Sequence, residues 1–312
     1  MTAKKHHYIP KCYLKAWTGA DRLLCEYRNC HGRIVVKRRH PAETGWEDGL
    51  YSIRDLPPEY ADVVEEKLFL KVDQDASNAL AALRQGDDLD AQLVEGWARF
   101  LMSLLQRHPG RIDFLRQRVL EQFEEINAKS RASMDDVEGY DAFVRLNSAN
   151  LLGQMFAYTV EAACNLEEIG RILVNMHTMV VVYNDARHRL LTSDNPLFLS
   201  EGLHEDKAFI MLPLSPRVLF IAANTRAVLD EIRRDVAPEQ QIEVINRHVV
   251  RRAHKYVYGL CENQLDFVVE HFGKERQEER DEWTASVAFV ESGQPLPQRR
   301  AAGGATERFP AR

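Results

Sequence analysis

The chain has 312 residues, of which 45% are hydrophobic and 28% are charged, and its formal net charge is −6. These values are ordinary for a globular protein, and the negative charge argues against a broadly basic nucleic-acid-binding surface. No apolar run approaches the roughly 20 residues of a membrane helix. The first seven residues, Met-Thr-Ala-Lys-Lys-His-His, lack the apolar segment of a secretory signal. We therefore expect a cytoplasmic protein without membrane contacts, whose five cysteines are free thiols.

An N-terminal unit is predicted over residues 1–54. Its first seventeen residues contain two histidines, three aromatic residues and a proline, so we expect this arm to dock onto the body of the protein. Two β-prone runs, 23–28 and 33–38, flank the sequence Asn-Cys-His-Gly and predict a hairpin. Residues 49–54 predict a short third strand.

The region 57–176 has mainly helical periodicity. Pro57 and Pro58 are expected to open the first helix, Gly86 to end it, and Asp90 to cap the next helix before the break at Pro109. Polar residues 128–138 predict a loop. The remaining predicted helices cover 112–126, 140–163 and, after a cap at Asn165, 166–176.

From residue 177 onward the pattern favours strands followed by helices. Four β-prone runs predict an antiparallel meander: 178–183, 189–192, 208–212 and 217–222. Helices are predicted over 238–256 and 264–271, and residues 293–312 have the composition of a disordered tail. Separate runs of helices and strands indicate one α+β domain over residues 1–292, with the four-stranded meander packed on the C-terminal helices.

His6 and His7 are the first candidate site residues. On an extended segment their side chains point to opposite faces, so only one readily faces a given site. A neutral imidazole there can ligate a metal or act as a general base. The alternative is structural, with one histidine packed and hydrogen-bonded and the other exposed.

Asp194 and Arg107 are the second and third candidates. Asp194 follows a β-prone run in Thr-Ser-Asp-Asn-Pro, where its carboxylate either faces a cleft or caps backbone amides in a tight turn. Arg107 ends a helix, where it either clamps an anionic group or merely complements the helix dipole.

Asn246 and an early acidic helix complete the set. Asn246 lies near the apolar face of a late helix, where it either orients a ligand or satisfies a buried polar group. Glu65, Glu66, Asp73 and Asp75 are expected on a solvated helix face, with Glu66 and Asp73 two turns apart on the same side.

In this order, these elements resemble a widespread microbial family called domain of unknown function 4238. The resemblance rests on Lys-His-His-Tyr-Ile-Pro at 5–10, the acidic helix around Glu66 and Asp73, Arg107, the Thr-Ser-Asp-Asn-Pro motif at 192–196 and Asn246. It covers residues 5 to about 260. Where the family typically has Glu in the early helix, this chain has Asp73. The resemblance implies no activity, but it supports grouping the histidines, Arg107, Asp194 and Asn246.

A base, a carboxylate, a cation and an amide from four segments predict a hydrolase acting on a phosphodiester or nucleotide. In this hypothesis His7 and Asp194 bind a divalent metal, Mg²⁺ or Mn²⁺, or divide the acid–base work, while Arg107 holds the anionic group. One alternative is a non-catalytic interaction or sensor module in which the same residues form a polar network. Another is nucleic-acid binding through the late helix, at Arg251 and Arg252.

Overall fold

The structure is a computed structural model, which describes residues 5–52, 63–200, 202–233 and 237–274, and the backbone of 307–310. Within these residues the fold is mixed α+β, as predicted, with three small sheets. No helix in the described ranges is long and apolar enough to cross a membrane. The predicted opening of the first helix at Pro57 and Pro58 lies outside them.

The described residues contain several helices that pack on one another and on the sheets. In chain order they are α1 (Lys11–Leu14), α2 (Leu70–Gln85), α3 (Ala91–Gln106), α4 (Pro109–Ala132), α5 (Val137–Cys164), α6 (Glu167–Asn175), α7 (Arg226–Arg233), α8 (Pro238–Arg252) and α9 (Leu265–His271). A π-helical segment, Val63–Phe69, leads directly into α2, and short 3₁₀ turns cover Lys15–Trp17 and Pro41–Glu43.

The predicted helix boundaries have the expected local causes. Gly86 ends α2 in the left-handed conformation, with φ of 84°, which favours glycine. The Asp90 carboxylate accepts a hydrogen bond from the backbone N–H of Leu93 and caps α3. The break before Pro109 separates α3 from α4, and the His108 side chain caps α4.

The strands form three sheets. They are β1 (Lys5–His7), β2 (Leu24–Cys30), β3 (Arg33–Arg39), β4 (Trp46–Asp48), β5 (His177–Val182), β6 (Thr192–Ser193), β7 (Phe198–Leu199), β8 (Phe209–Ser215), β9 (Val218–Ala223), β10 (Tyr256–Gly259) and β11 (Glu307–Pro310). The sheet orders are β1-β4, β3-β2-β10-β6 and β11-β5-β9-β8-β7, and all pairs are antiparallel except β11 with β5. The β2–β3 hairpin is confirmed, and both turn residues, His31 and Gly32, have positive φ as a tight hairpin turn requires.

The predicted docking of the N-terminal arm is confirmed. Tyr8, Tyr13 and Trp17 are fully buried in the main hydrophobic core. The Tyr13 hydroxyl donates to the Pro213 carbonyl at 2.6 Å and lies 2.6 Å from the Thr192 hydroxyl. The arm therefore connects the helical side to two of the sheets.

The run 189–192 does not form the predicted second strand of the meander. Only Thr192 and Ser193 are extended, and they pair with β10 in another sheet, while β5 lies directly beside β9. The Asn246 side chain accepts from the Leu191 N–H and donates to the Arg189 carbonyl. Because a side chain takes these backbone groups, they are withdrawn from a sheet ladder.

Three other boundaries differ from prediction. The loop expected over 128–138 is shorter, at 133–136, because helix α4 continues to Ala132, supported by the Lys129–Glu125 ion pair one turn apart. Near Gly49 the strand comes earlier, at β4, since Gly49 itself begins a turn with φ of 63°. The late helix ends at Arg252, and Tyr256 lies on β10. Residues 53–54 and most of the predicted tail, 293–306 and 311–312, lie outside the described residues.

Candidate active site

The docked arm places its two histidines in different surroundings. His6 is buried, its Nδ1 accepts a hydrogen bond from the Tyr51 backbone N–H at 3.2 Å, and its ring stacks on Tyr51 with centroids 5.1 Å apart. His6 therefore corresponds to the packed histidine of the structural alternative. His7 is half-buried and lies next to the π-helical segment.

His7 is neutral near pH 7. Burial, together with the positive charge of Lys11, lowers its pKa to about 4. Its backbone N–H lies 3.5 Å from Glu65 Oε1, which links β1 to the π-helical segment. A neutral imidazole at this place can accept or orient a proton, but it is a poor acid at neutral pH.

Glu65 is one of the four acidic residues that the sequence pattern predicts on a solvated helix face. It is half-buried, and burial raises its pKa to about 7, although Arg107 and the His7 N–H oppose this shift. Such a value suits a general acid or base at neutral pH. The π-helical backbone changes the helical phase, and such segments are frequent at functional sites.

Arg107 is fully buried beside this carboxyl group. Its Nη2 donates to Asp73 Oδ1 at 2.9 Å and to Ser103 Oγ at 2.7 Å, and its guanidinium lies 4.4 Å from the centre of the Phe69 ring. Burial lowers the pKa of Arg107, but the adjacent Asp73 raises it and the net direction is upward. The Asp73 side chain is 25% exposed, so the ion pair reaches solvent on that side.

We call His7, Glu65, Asp73 and Arg107 the Arg107 cluster. Three of its members have buried polar atoms without a hydrogen-bond partner among the described residues: His7 Nε2, Glu65 Oε2, and Arg107 Nε and Nη1. Buried polar atoms in proteins are nearly always paired, so these atoms have unused hydrogen-bonding capacity towards a water molecule or a polar ligand. The nearby Cys12 and Cys164 thiols stay protonated, since burial raises their pKa values to about 11 and about 12.

Asp194 lies in a different arrangement. Its Oδ1 accepts from the His254 N–H at 2.7 Å, and its Oδ2 accepts from the Lys255 and Tyr256 N–H groups at 2.6 and 3.0 Å. Burial raises the pKa of Asp194, and the three N–H donors act in the opposite direction. We call this arrangement the Asp194 turn, and it explains why the chain leaves α8 and enters β10.

Asn246 likewise supports backbone. It is buried, accepts from the Leu191 N–H at 2.7 Å, and donates to the Arg189 carbonyl at 2.8 Å. Both of these hydrogen bonds join the Asn246 side chain to main-chain groups of residues 189–191. The expectation that Asn246 satisfies a buried polar group agrees with these contacts.

The structure therefore divides the predicted residues into two groups. His7 and Arg107 belong to the Arg107 cluster, and Asp194 and Asn246 hold backbone around β6 and β10. The two groups meet along the arm, because Tyr8 follows His7 and its pKa is raised by burial and by the charge of Asp194. Within the described ranges, no three His, Cys, Asp or Glu side chains are placed to hold a metal ion together.

Sequence reasoning missed Glu65 as a site residue. The sequence offered no clear signal, because Glu65 begins the charged run Glu-Glu-Lys at 65–67. The phase change of the π-helical segment is a tertiary feature that periodicity does not reveal.

Comparison with known proteins gives a family but no activity. A family model described as "Protein of unknown function (DUF4238)" matches residues 5–262, and the chain belongs to that family. No curated protein and no solved structure matches the chain.

Proposed function

We propose that this protein is a hydrolase of a phosphodiester or nucleotide, with its reaction centre at the Arg107 cluster. The observation that carries the proposal is the Glu65 carboxyl group, with a pKa of about 7, beside a buried guanidinium with unpartnered N–H groups. A proton-transfer group and an anion-binding group that influence each other electrostatically are the minimum that such hydrolysis requires.

Arg107 would hold the anionic group of the substrate. Its Nη2 donates to Asp73 and Ser103, whereas Nε and Nη1 remain as two single donors that point in different directions, so each can bind one oxygen of an anionic group. Asp73 keeps the guanidinium charged and oriented. Entry from the Asp73 side agrees with the partial exposure of that side chain.

Glu65 would transfer the proton. As its carboxylate removes a proton from water, the water oxygen bonds to phosphorus and the bond from phosphorus to the leaving oxygen breaks. The carboxyl group then returns the proton to the leaving oxygen, which restores Glu65. His7, neutral at this pH, positions Glu65 through its backbone N–H and offers Nε2 to the water.

The metal-assisted form of the proposal uses Mg²⁺ or Mn²⁺ on His7 and Asp194. In that form Asp194 must turn at least one oxygen from the Asp194 turn towards the metal, so its three backbone bonds oppose metal binding. Activity measured with Mn²⁺ and with a chelator separates the two forms.

The test compares Glu65→Gln with Glu66→Gln, an adjacent exposed position, on single-stranded DNA, RNA and a chromogenic phosphodiester. We expect Glu65→Gln to lower kcat by roughly 100-fold or more and Glu66→Gln to leave it unchanged. Equal activity of the two variants would contradict the role of Glu65, and failure of the unmodified protein to cleave any of these substrates would contradict the substrate class.

A second candidate is a non-catalytic interaction or sensor module, with a role in phage defence or stress. The hydrogen bonds of Asp194 and Asn246 favour it, because both side chains bind backbone groups of the fold. It predicts that Glu65→Gln changes the stability of the protein, and that neither the unmodified protein nor the variant turns over a substrate. Direct nucleic-acid binding by the late helix has less support, since Arg252 is largely buried and lies 5.5 Å from the centre of the Phe198 ring.

A further inference from the structure

A cleft lies between the β1-β4 sheet and the exposed side of β2, β3 and β10. Its volume is about 640 Å³, within the range of roughly 300–1,000 Å³ typical of small-molecule sites. Four acidic, four basic and two aromatic side chains line it. None of them belongs to the Arg107 cluster, so this cleft is independent of the proposed hydrolase site.

The floor of the cleft is a buried carboxylate. Glu26 is only 3% exposed, and its Oε2 accepts a hydrogen bond from the Thr44 hydroxyl, which lies 3.0 Å from the Tyr258 hydroxyl. Its Oε1 lies 4.0 Å from Arg39 Nε, beyond hydrogen-bond distance. Oε2 is thus held by a hydrogen bond, whereas Oε1 faces the Arg39 guanidinium without forming a hydrogen bond to Nε.

Charged side chains on the walls of the cleft also have partners at distances longer than a hydrogen bond. Lys255 Nζ lies 3.9 Å from Glu47 Oε1, and Lys5 Nζ lies 4.3 Å from the centre of the Trp46 ring. Such contacts contribute little to stability and exchange readily. A ligand with its own charges can replace them by shorter, charge-assisted hydrogen bonds.

We propose that this cleft binds a short peptide with free ends, two or three residues long. The peptide ammonium pairs with Glu26, its carboxylate pairs with Arg39, and an apolar side chain packs on Trp46 or Tyr256. Balanced charge in the lining disfavours a polyanion, which would meet four carboxylates, and a polyamine, which would meet four cations. A zwitterion brings a positive charge for the acidic side chains and a negative charge for the basic ones.

The test measures binding of Ala-Phe and Ala-Ala-Phe by calorimetry to the full-length protein. Matched probes are the N-acetylated peptide, the C-amidated peptide, spermidine and inorganic phosphate. We expect the free peptides to bind and each capped form to bind at least about tenfold more weakly. Capped peptides that bind equally well, tighter binding of spermidine or phosphate, or no binding up to about 10 mM peptide would overturn the proposal.

Glu26→Gln and Arg39→Gln assign the two ends of the peptide. Glu26→Gln keeps an acceptor for Thr44 but removes the charge, so it should weaken the free peptide and leave the N-acetylated peptide unaffected. Arg39→Gln, on the half-exposed side of the cleft, should weaken the free peptide and leave the C-amidated one unaffected. Exposed Glu124→Gln, away from the cleft, is the matched control. Uniform weakening of all probes by either variant would indicate a general loss of structure and contradict the assignment.

Discussion

Replacing Asp194 by Asn removes a charge from the point where α8 turns into β10. The Asp194 carboxylate accepts three backbone N–H bonds, at 2.7, 2.6 and 3.0 Å, from three consecutive residues. An amide of the same shape has one oxygen, and its NH₂ group must face N–H donors. At least one backbone N–H is therefore left without an acceptor in a buried setting.

The expected cost follows from these contacts. A hydrogen bond to a charged group contributes about 1.5–3 kcal/mol, and an unsatisfied buried donor costs about 1–3 kcal/mol. Because the three bonds share one carboxylate, their losses are not additive, and we expect Asp194→Asn to lower the free energy of unfolding by about 3–5 kcal/mol. That is a large part of the roughly 5–15 kcal/mol of a typical domain.

Urea unfolding, followed by circular dichroism and fluorescence, measures this change. The control is Asp185→Asn, in an exposed turn, for which we expect a change within about 0.5 kcal/mol. A loss below about 1 kcal/mol in Asp194→Asn would refute the structural role. If such a stable variant also lost metal-dependent hydrolysis, Asp194 would instead be a metal ligand.

Four further predictions concern the N-terminal arm and Glu65. Because the Glu65 pKa is raised to about 7, its contribution to stability is present below about pH 4.5 and is lost as the pH rises through 7. Glu65→Gln should remove about 3 kcal/mol of that decline, at about 1.36 kcal/mol per pKa unit, in urea titrations at each pH. His7, with its pKa lowered to about 4, acts oppositely: its contribution is present above about pH 6.5 and lost towards pH 4, and His7→Gln should flatten this acid-side slope. Tyr13→Phe should cost about 1–3 kcal/mol in the same assay by removing the bonds to Pro213 and Thr192, and an unchanged midpoint would contradict it. Deleting residues 1–9 should abolish hydrolysis while thermal melting stays cooperative, whereas full activity of the truncated protein would show that His7 is dispensable.

Local sequence signals were sufficient for much of the fold. The α+β class, the β2–β3 hairpin, the end of α2 at Gly86 and the cap of α3 at Asp90 depend on residues close together in the chain. The docking of the arm was also predictable, because its aromatic residues are costly to leave in water. The hairpin, the end of α2 and the cap of α3 are each decided within about one turn or one hairpin.

Contacts between distant residues decided the rest. The run 189–192 has the composition of a strand, but Asn246, more than fifty residues later, takes its backbone groups. The late helix stops at Arg252 because Asp194, sixty residues earlier, captures the following N–H groups. The sequence alone presented Glu65 as one more acid on a polar helix. Its place beside Arg107, and hence its raised pKa, depends on burial and on charges that only the tertiary structure brings together.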